Sequence, residues 1–462
     1  MARILLAQPW LYHDIGRTNY DPEREWRNGP YSLLLLATIL KKAGHDVEFS
    51  DLHRDLVGIR GDVDALKQQF RAHIAQFRPD FIGVSFFSIH WFEVKELVEI
   101  ARDECESLGL STVFVAGGIH ASTVPEDTLK NLGFDISFVG EGDIGFLALA
   151  NGESPENVPG AYTERKTAID WGESVKNLDD LPFADWSFSD HQFYAHPTYA
   201  RMRIRKTSSI DLLMGRGCVY KCAFCAYYAL SSTRFYSAEY LIENVKYLRK
   251  EFDIHGVYFT DSTIGNNRRL IEQFSEGLIR EGLSDQIEWY ANIRPNQVSR
   301  DLLKLMWRSG CRYLFYGFES GSQRVLDLMV KGMKVESSYK AAELHLELGF
   351  PYHGSFILGY PGETEPEIWD TVKMMERMRP SSIGVNWYVP LPGTPDYDKL
   401  RQSGIIVHDD PQEWRCISEC NEKKVFCDIP EERFRQLFDY AKHVAFERLP
   451  MLTDSYWNNF VR

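Results

Sequence analysis

The sequence has no run of about 20 apolar residues, the length a helix needs to cross a bilayer, so no membrane span is expected. It has no surplus of positive charge: 52 Lys and Arg stand against 66 Asp and Glu, a formal net charge of −14 at pH 7. Gripping nucleic acid through its phosphate backbone calls for a basic face, so no nucleic-acid partner is expected. Cysteine is sparse, 8 in 462 residues, which does not suit a disulfide-framed secreted scaffold. The first residues, Met1-Ala2-Arg3-Ile4-Leu5-Leu6, enter a strand-like stretch without the pattern of a secretory signal. These absences predict a cytoplasmic protein, where reduced thiols point to metal or catalytic use. With 44% hydrophobic and 26% charged residues, the chain suits two or three globular domains of about 150 residues each.

What is present is concentrated in one stretch. Cys218-Val219-Tyr220-Lys221-Cys222-Ala223-Phe224-Cys225 holds three thiols in eight residues, spaced C-x3-C-x2-C. Cysteines this close in one turn of chain rarely reach disulfide geometry. Soft thiolates at regular spacing select metals, with three structural thiols as the plain alternative. Zinc asks for a fourth Cys or His nearby, and none follows closely. An iron–sulfur cluster accepts three thiolates if one iron is left to another ligand. A second group, Cys416, Cys420 and Cys427, is spaced C-x3-C-x6-C. It reads as an auxiliary cluster, a zinc site, a catalytic thiol or a chance grouping, since no fourth ligand is evident.

Around the thiols, strands and helices alternate. In residues 1–150, strands at Ile4–Gln8, Val47–Ser50, Phe81–Phe87, Thr112–Ala116 and Ile136–Val139 alternate with helices at Tyr31–Ala43, Val63–Phe77, Phe92–Glu106 and Thr123–Leu132. This predicts a doubly wound parallel sheet with ligands at the carboxyl ends of its strands. Residues 151–207 read as a connector, with a small hairpin at Asn157–Thr167. From 208 to 400 the alternation resumes, with strands at Ser209–Met214, Gly256–Thr260, Ile287–Ala291, Tyr313–Phe318, Tyr352–Leu358 and Ser382–Trp387. Polar residues and glycines fall at their carboxyl ends, where barrel enzymes place their sites. Residues 401–462 carry an amphipathic helix at Pro430–Phe446, with Phe434, Leu437, Phe438, Ala441 and Val444 on one stripe.

The thiol loop, following the strand Ser209–Met214, resembles the cluster loop of the radical SAM superfamily, which also has an aromatic residue where Phe224 stands. Residues 1–150 resemble the cobalamin-binding domain that precedes many such enzymes. The matching pieces are Ser85–Ser88, Gly117-Gly118-Ile119-His120-Ala121-Ser122 and Gly140-Glu141-Gly142-Asp143. Together the two halves resemble cobalamin-dependent radical SAM enzymes over residues 3–405. The resemblance implies an α/β chain: an N-terminal Rossmann-like cobalamin-binding domain, a partial (β/α)6 barrel and a small helical C-terminal region. It implies a 4Fe-4S cluster on Cys218, Cys222 and Cys225, with S-adenosylmethionine (SAM) on the open iron. Reductive cleavage of SAM would give a 5′-deoxyadenosyl radical. Cobalamin would then supply a methyl group to an unactivated carbon of a small-molecule substrate. A flavodoxin- or ferredoxin-type donor would supply the electrons.

Carried over to this sequence, Glu319 and the turn Ser320-Gly321-Ser322 would meet the SAM ribose and amino group. Arg294 would meet its carboxylate or ribose. Gly359 and Gly362 would let backbone approach its two ends, and Asp261 would lie near the site floor. From the residues themselves, Glu319 also reads as a surface carboxylate at a helix N-terminus, and Asp261 and Arg294 as members of an internal ion pair. Ser85, Ser88, Gly117, Gly118, His120, Ser122, Gly140, Glu141 and Gly142 would surround the nucleotide tail of the corrinoid. The mutase-type motif D-x-H-x-x-G is not complete: His13 with Gly16 lacks the Asp, and Asp51 with His53 has Leu56 in place of the Gly. The reading is therefore cobalamin without a histidine below the metal, with His120 bonded to the tail or to its own loop. Rearrangement, cyclisation or ring contraction, and a non-catalytic SAM or corrinoid sensor, are the rival readings.

Overall fold

A computed structural model describes residues 1–10, 29–195, 208–229, 232–406, 411–414 and 424–445. His13, Cys416 and Cys420 lie outside the described residues. The chain forms two compact units. One takes Met1–Tyr194 with Leu391–Gly393 and Tyr397–Arg415; the other takes Ala195–Pro390 with Thr394–Asp396 and Cys416–Arg462.

The first unit is built on a six-stranded sheet. Its order is Asp46–Asp51, Arg3–Gln8, Phe81–Ser85, Val113–Gly117, Ile136–Phe138 and Ala161–Tyr162. The first five run parallel, and the sixth pairs antiparallel with Ile136–Phe138. Ile4, Leu5, Leu6 and Ala7 are all fully buried, as in a strand covered on both faces. Alternate residues point to opposite faces. Leu5 and Ala7 join a core with Phe70 and Ile74 of the helix Val63–Phe77 and Val94 and Leu97 of the helix Trp91–Ser107. Ile4 and Leu6 join another with Leu33, Ala37 and Leu40 of the helix Tyr31–Lys42.

Two boundaries differ from the sequence reading. The residues taken as a connector belong to the first unit as far as Tyr194. In place of the expected hairpin at Asn157–Thr167, the strand Ala161–Tyr162 extends the sheet, the Tyr194 hydroxyl donates to the buried Asp51 carboxylate at 2.8 Å, and the Asp185 amide donates to Thr38 Oγ1 at 2.9 Å. Near residue 400, Tyr397 and Trp414 join the same core as Phe86 and Trp91, so this stretch leaves the barrel unit. Burying large aromatic rings outweighs position along the chain.

The second unit is a six-stranded parallel sheet. Ser209–Leu212, Gly256–Phe259, Glu288–Asn292, Cys311–Glu319, Tyr352–Leu358 and Ser382–Trp387 each pair with the next in sequence. Among the described residues the first and last strands do not pair with each other, as in a partial barrel. Along Tyr352–Leu358 buried and half-buried residues alternate, one set packing outward on helices and the other facing the lumen. The helix Glu431–His443 covers the last strand, with the Trp387 ring 4.6 Å from Phe434 and 5.1 Å from Phe438. An unpredicted two-stranded ribbon, Gly215–Arg216 with Arg234–Phe235, brackets the thiol loop.

Candidate active site

The thiol loop leaves the first barrel strand and is fixed from several sides. Asp261, after the second strand, accepts from the backbone amides of Met214 and Gly215 at 2.8 Å each. Burial pushes its carboxyl up to about 7, although both amides favour the charged form. Its carboxylate therefore anchors the start of the loop; the sequence reading put it near the site floor or in an internal ion pair. In the loop's middle, the Ala223 amide donates to the Met329 carbonyl at 2.9 Å, and the Ala223 carbonyl accepts from the Asp396 amide at 3.2 Å.

The three thiols act on one another. Burial pushes the Cys225 thiol up to about 11, and Cys222 and Cys218 add to that rise while Lys331 opposes it. Among the described residues no three His, Cys, Asp or Glu side chains could hold a single metal ion. Three thiols on one loop, each able to hold its own iron, are a donor set that suits an iron–sulfur cluster.

Two buried cations stand beside the thiols. Arg294, after the third strand, places Nη1 3.5 Å from Cys222 Sγ. Its Nη2 donates to the Lys331 carbonyl, and its guanidinium lies 3.6 Å from the centre of the Tyr220 ring. The second cation is Lys331, which sequence reasoning missed. Its Nζ donates to Glu319 Oε1 at 2.6 Å, with both side chains buried. A Cβ on Gly317 would sit 2.2 Å from Glu319 Oε1 and 3.1 Å from Lys331 Nζ, so the pair needs a glycine there. Glu319 is neither the open ligand-facing carboxylate nor the surface carboxylate foreseen.

The Ser320-Gly321-Ser322 turn faces a helix. The Gly321 amide donates to Thr371 Oγ1 at 2.9 Å and Ser320 Oγ lies 3.2 Å from it. Ser322 Oγ donates to Glu367 Oε1 at 2.8 Å. Both partners lie on the helix Glu365–Met378. Gly359, at φ +86°, approaches the Phe434 ring, where a Cβ would come within 2.7 Å. Its amide donates to Glu363 Oε2 at 2.7 Å. Burial pushes the Glu363 carboxyl up to about 8, and its Oε1 is buried without a partner. These groups build the wall of the site through contacts within the protein. Phe224 lies on the inner side of the loop, with Lys331 Nζ 5.8 Å from its ring centre. Cys427 is half-buried, and burial pushes its thiol up to about 11.

In the first unit, the predicted loops meet at the carboxyl edge of the sheet. His120 is fully buried, with Nδ1 2.9 Å from Ser88 Oγ and Nε2 2.9 Å from Asp127 Oδ2. Both ring nitrogens are committed to its own surroundings. Burial works against the Asp127 charge, yet bonds from His120, Asn131 and Trp91 hold its carboxyl below the usual value. Ser122 Oγ donates to the Gly118 carbonyl at 2.8 Å and accepts from the Gly140 amide at 3.0 Å, tying two of the turns. Gly118, at φ +90°, lies against the Phe86 backbone and turns the chain into the short helix Gly118–Thr123, where the sequence suggested a loop. A Cβ at Gly142 would meet nothing within 4 Å, and one at Gly117 only the Val84 carbonyl at 4.0 Å. Half-buried Ser85 and Glu141 border these two open positions. Elsewhere the edge is covered, by the Trp171 carbonyl against Gly140 and by the Trp414 ring 5.9 Å from His120, so Gly117 and Gly142 mark the open part of it.

The chain thus holds a partial barrel with a three-cysteine loop after its first strand, and separately a doubly wound parallel sheet. The sequence comparisons agree. The profile of the radical SAM superfamily matches residues 212–375, and that of the B12 binding domain matches residues 27–150. An uncharacterized methyltransferase of Pyrococcus horikoshii is 27% identical over 79% of this chain and 77% of its own length. Cytidylyl-2-hydroxyethylphosphonate methyltransferase of Streptomyces wedmorensis is 25% identical over 89% and 83%. The anaerobic magnesium-protoporphyrin IX monomethyl ester cyclase of Cereibacter sphaeroides is 24% identical over 80% of this chain and 60% of its own length. The solved structure of the radical S-adenosylmethionine methyltransferase TsrM from Kitasatospora setae, with cobalamin and a [4Fe-4S] cluster bound, superposes with a TM-score of 0.67 at 18% identity. That match covers 89% of this chain and 80% of the other. The chain carries a radical SAM domain, with a B12 binding domain ahead of it in the sequence.

Proposed function

We propose that this chain is a cobalamin-dependent radical SAM methyltransferase that methylates an unactivated carbon of a small molecule. The observation that carries the reading is the set of three coupled thiols beside Arg294 and Lys331, in a chain that also holds a B12 binding domain. When bound, the cluster supplies the electron that cleaves SAM, and the corrinoid carries the methyl group. The protein's part is placement and exclusion of water. Asp261, Met329 and Asp396 fix the loop, and the two buried cations offset the charge of the thiolates. The strands also bring together Phe315 and His353, with rings 5.6 Å apart, and Asn386 donating to Ser355 Oγ at 2.9 Å. Such groups favour a small substrate bound by hydrogen bonds and ring contacts. No helix of the described residues is long and apolar enough to cross a membrane. That fits a cytoplasmic enzyme reduced by a flavodoxin- or ferredoxin-type donor. The similarity to a cyclase keeps cyclisation as the second reading.

Protein purified and reconstituted without oxygen, given dithionite and SAM, is expected to release 5′-deoxyadenosine, and a Cys222→Ala variant is not. Release by neither protein removes the radical step. Protein made with cobalamin available should retain corrinoid through gel filtration; its absence discards methyl transfer in favour of cobalamin-free chemistry.

A further inference from the structure

The sequence resemblance assigned Arg294 to the SAM carboxylate or ribose, yet its side chain has partners within the protein. Its side chain is buried, with two of its nitrogens on Cys222 Sγ and the Lys331 carbonyl. The flat guanidinium lies against Tyr220, a loop residue between the first two cysteines. Gln297 holds this stack from behind. Its Nε2 donates to the Tyr220 hydroxyl at 3.0 Å, and its Oε1 accepts from the Arg294 amide at 3.1 Å and from Thr263 Oγ1 at 2.6 Å. Only Nε of the guanidinium is buried without a partner. An arginine held this firmly, with one N–H aimed at a ligand sulfur, has a different use from gripping a substrate that comes and goes.

We infer that Arg294 is a positioning residue that raises the reduction potential of the cluster through Cys222. This rests on the cluster assignment made above. Reduction moves one electron from an external low-potential reductant, dithionite or a flavodoxin-type protein, onto the cluster, with no bond formed or broken. The added negative charge stays next to the guanidinium. A buried cation at hydrogen-bond distance from a ligand sulfur stabilises that charge more than the oxidised state and is little screened by salt. The planar fork also explains why arginine suits the position: stacking and directed N–H bonds need its shape, which lysine lacks.

The test is a redox titration of the reconstituted protein followed by electron paramagnetic resonance, without SAM. Arg294→Gln is expected to lower the ratio of reduced to oxidised cluster about tenfold at the wild-type midpoint, about 59 mV for a one-electron couple. Arg294→Lys, which keeps charge but loses the stack, should fall between. If Arg294→Gln takes up no iron, Arg294→Lys alone decides, a lowered midpoint supporting the inference. Unchanged midpoints in the variants that load would overturn it, as would unchanged midpoints with weakened SAM binding, which would return Arg294 to the SAM carboxylate. Wild-type protein that forms no cluster at all would instead sink the functional reading.

Discussion

Lys331 and Glu319 show what a single residue can hide. Glu319 follows a strand and precedes a polar turn, the setting of a ligand-binding carboxylate. Its oxygen meets Lys331 Nζ at 2.6 Å with both groups buried. Removing one member of such a pair leaves a charge in a poor solvent, a loss of about 3–5 kcal/mol. Lys331→Met is therefore expected to lower the urea midpoint of the barrel unit strongly, and the double variant with Glu319→Gln to recover much of the loss. Equal midpoints for wild type and Lys331→Met would remove the pair as a stabilising contact. The partnership was not legible because the residues lie 12 positions apart with no periodic pattern joining them. The one available signal was Gly317, two residues before Glu319 on the same strand face, where the missing side chain makes room. Cys218, Cys222 and Cys225 stand out in the sequence because their spacing alone suggests a shared ligand.

At the scale of elements, the reading succeeded where periodicity was long. Tyr352–Leu358, Glu365–Met378 and Ser382–Trp387 have the bounds expected, and Ser237 caps its helix by accepting from the Tyr240 amide at 3.0 Å. It failed for the short helices Gln323–Leu328 and Pro395–Gln402, which offer less than a period or two of pattern. Glycines misled in a more instructive way. A glycine shows that a Cβ is not tolerated, but not what fills the space. At Gly321 the neighbour is the Asp370 carbonyl, 2.4 Å from a built Cβ, and not a cofactor. Gly321→Ala must push the turn off the backbone of the helix Glu365–Met378. Overpacking of this kind destabilises by about 1–3 kcal/mol. The expected result is a lower melting temperature with cluster loading unchanged. A variant as stable as wild type would mean that the turn does not dock on that helix.

At the scale of the whole barrel unit, its buried titratable groups fix how stability responds to pH. Burial raises Glu363 to about 8 and Asp261 to about 7. A carboxyl raised by folding contributes stability that is full below its unfolded pKa, near 4, and lost as pH climbs through the folded value. Two buried histidines act in the opposite sense, His353, which burial lowers to about 4, and His345. The His345 Nδ1 lies 2.7 Å from the Phe350 carbonyl and its Nε2 2.7 Å from the Tyr316 hydroxyl, a set that suits the neutral ring. Burial lowers it to about 4 as well, so the contribution of each histidine is full above pH 6.5 and lost on acidification. Each group changes stability by about 1.4 kcal/mol per pH unit inside its own window. Between pH 5 and 6.5 the two histidines offset the two carboxyls, and stability changes little. From pH 6.5 to 7 both carboxyls act unopposed and stability declines; the decline ends near pH 8, once Glu363 is ionised. Urea midpoints of the purified protein should be close at pH 5 and 6.5 and clearly lower at pH 8. Glu363→Gln keeps an acceptor for the Gly359 and Tyr360 amides but removes the titration, so it should flatten the upper limb and stand above wild type at pH 8. A midpoint that rises from pH 6.5 to 8, or a Glu363→Gln curve parallel to wild type, would show that these carboxyls are not held neutral by the fold.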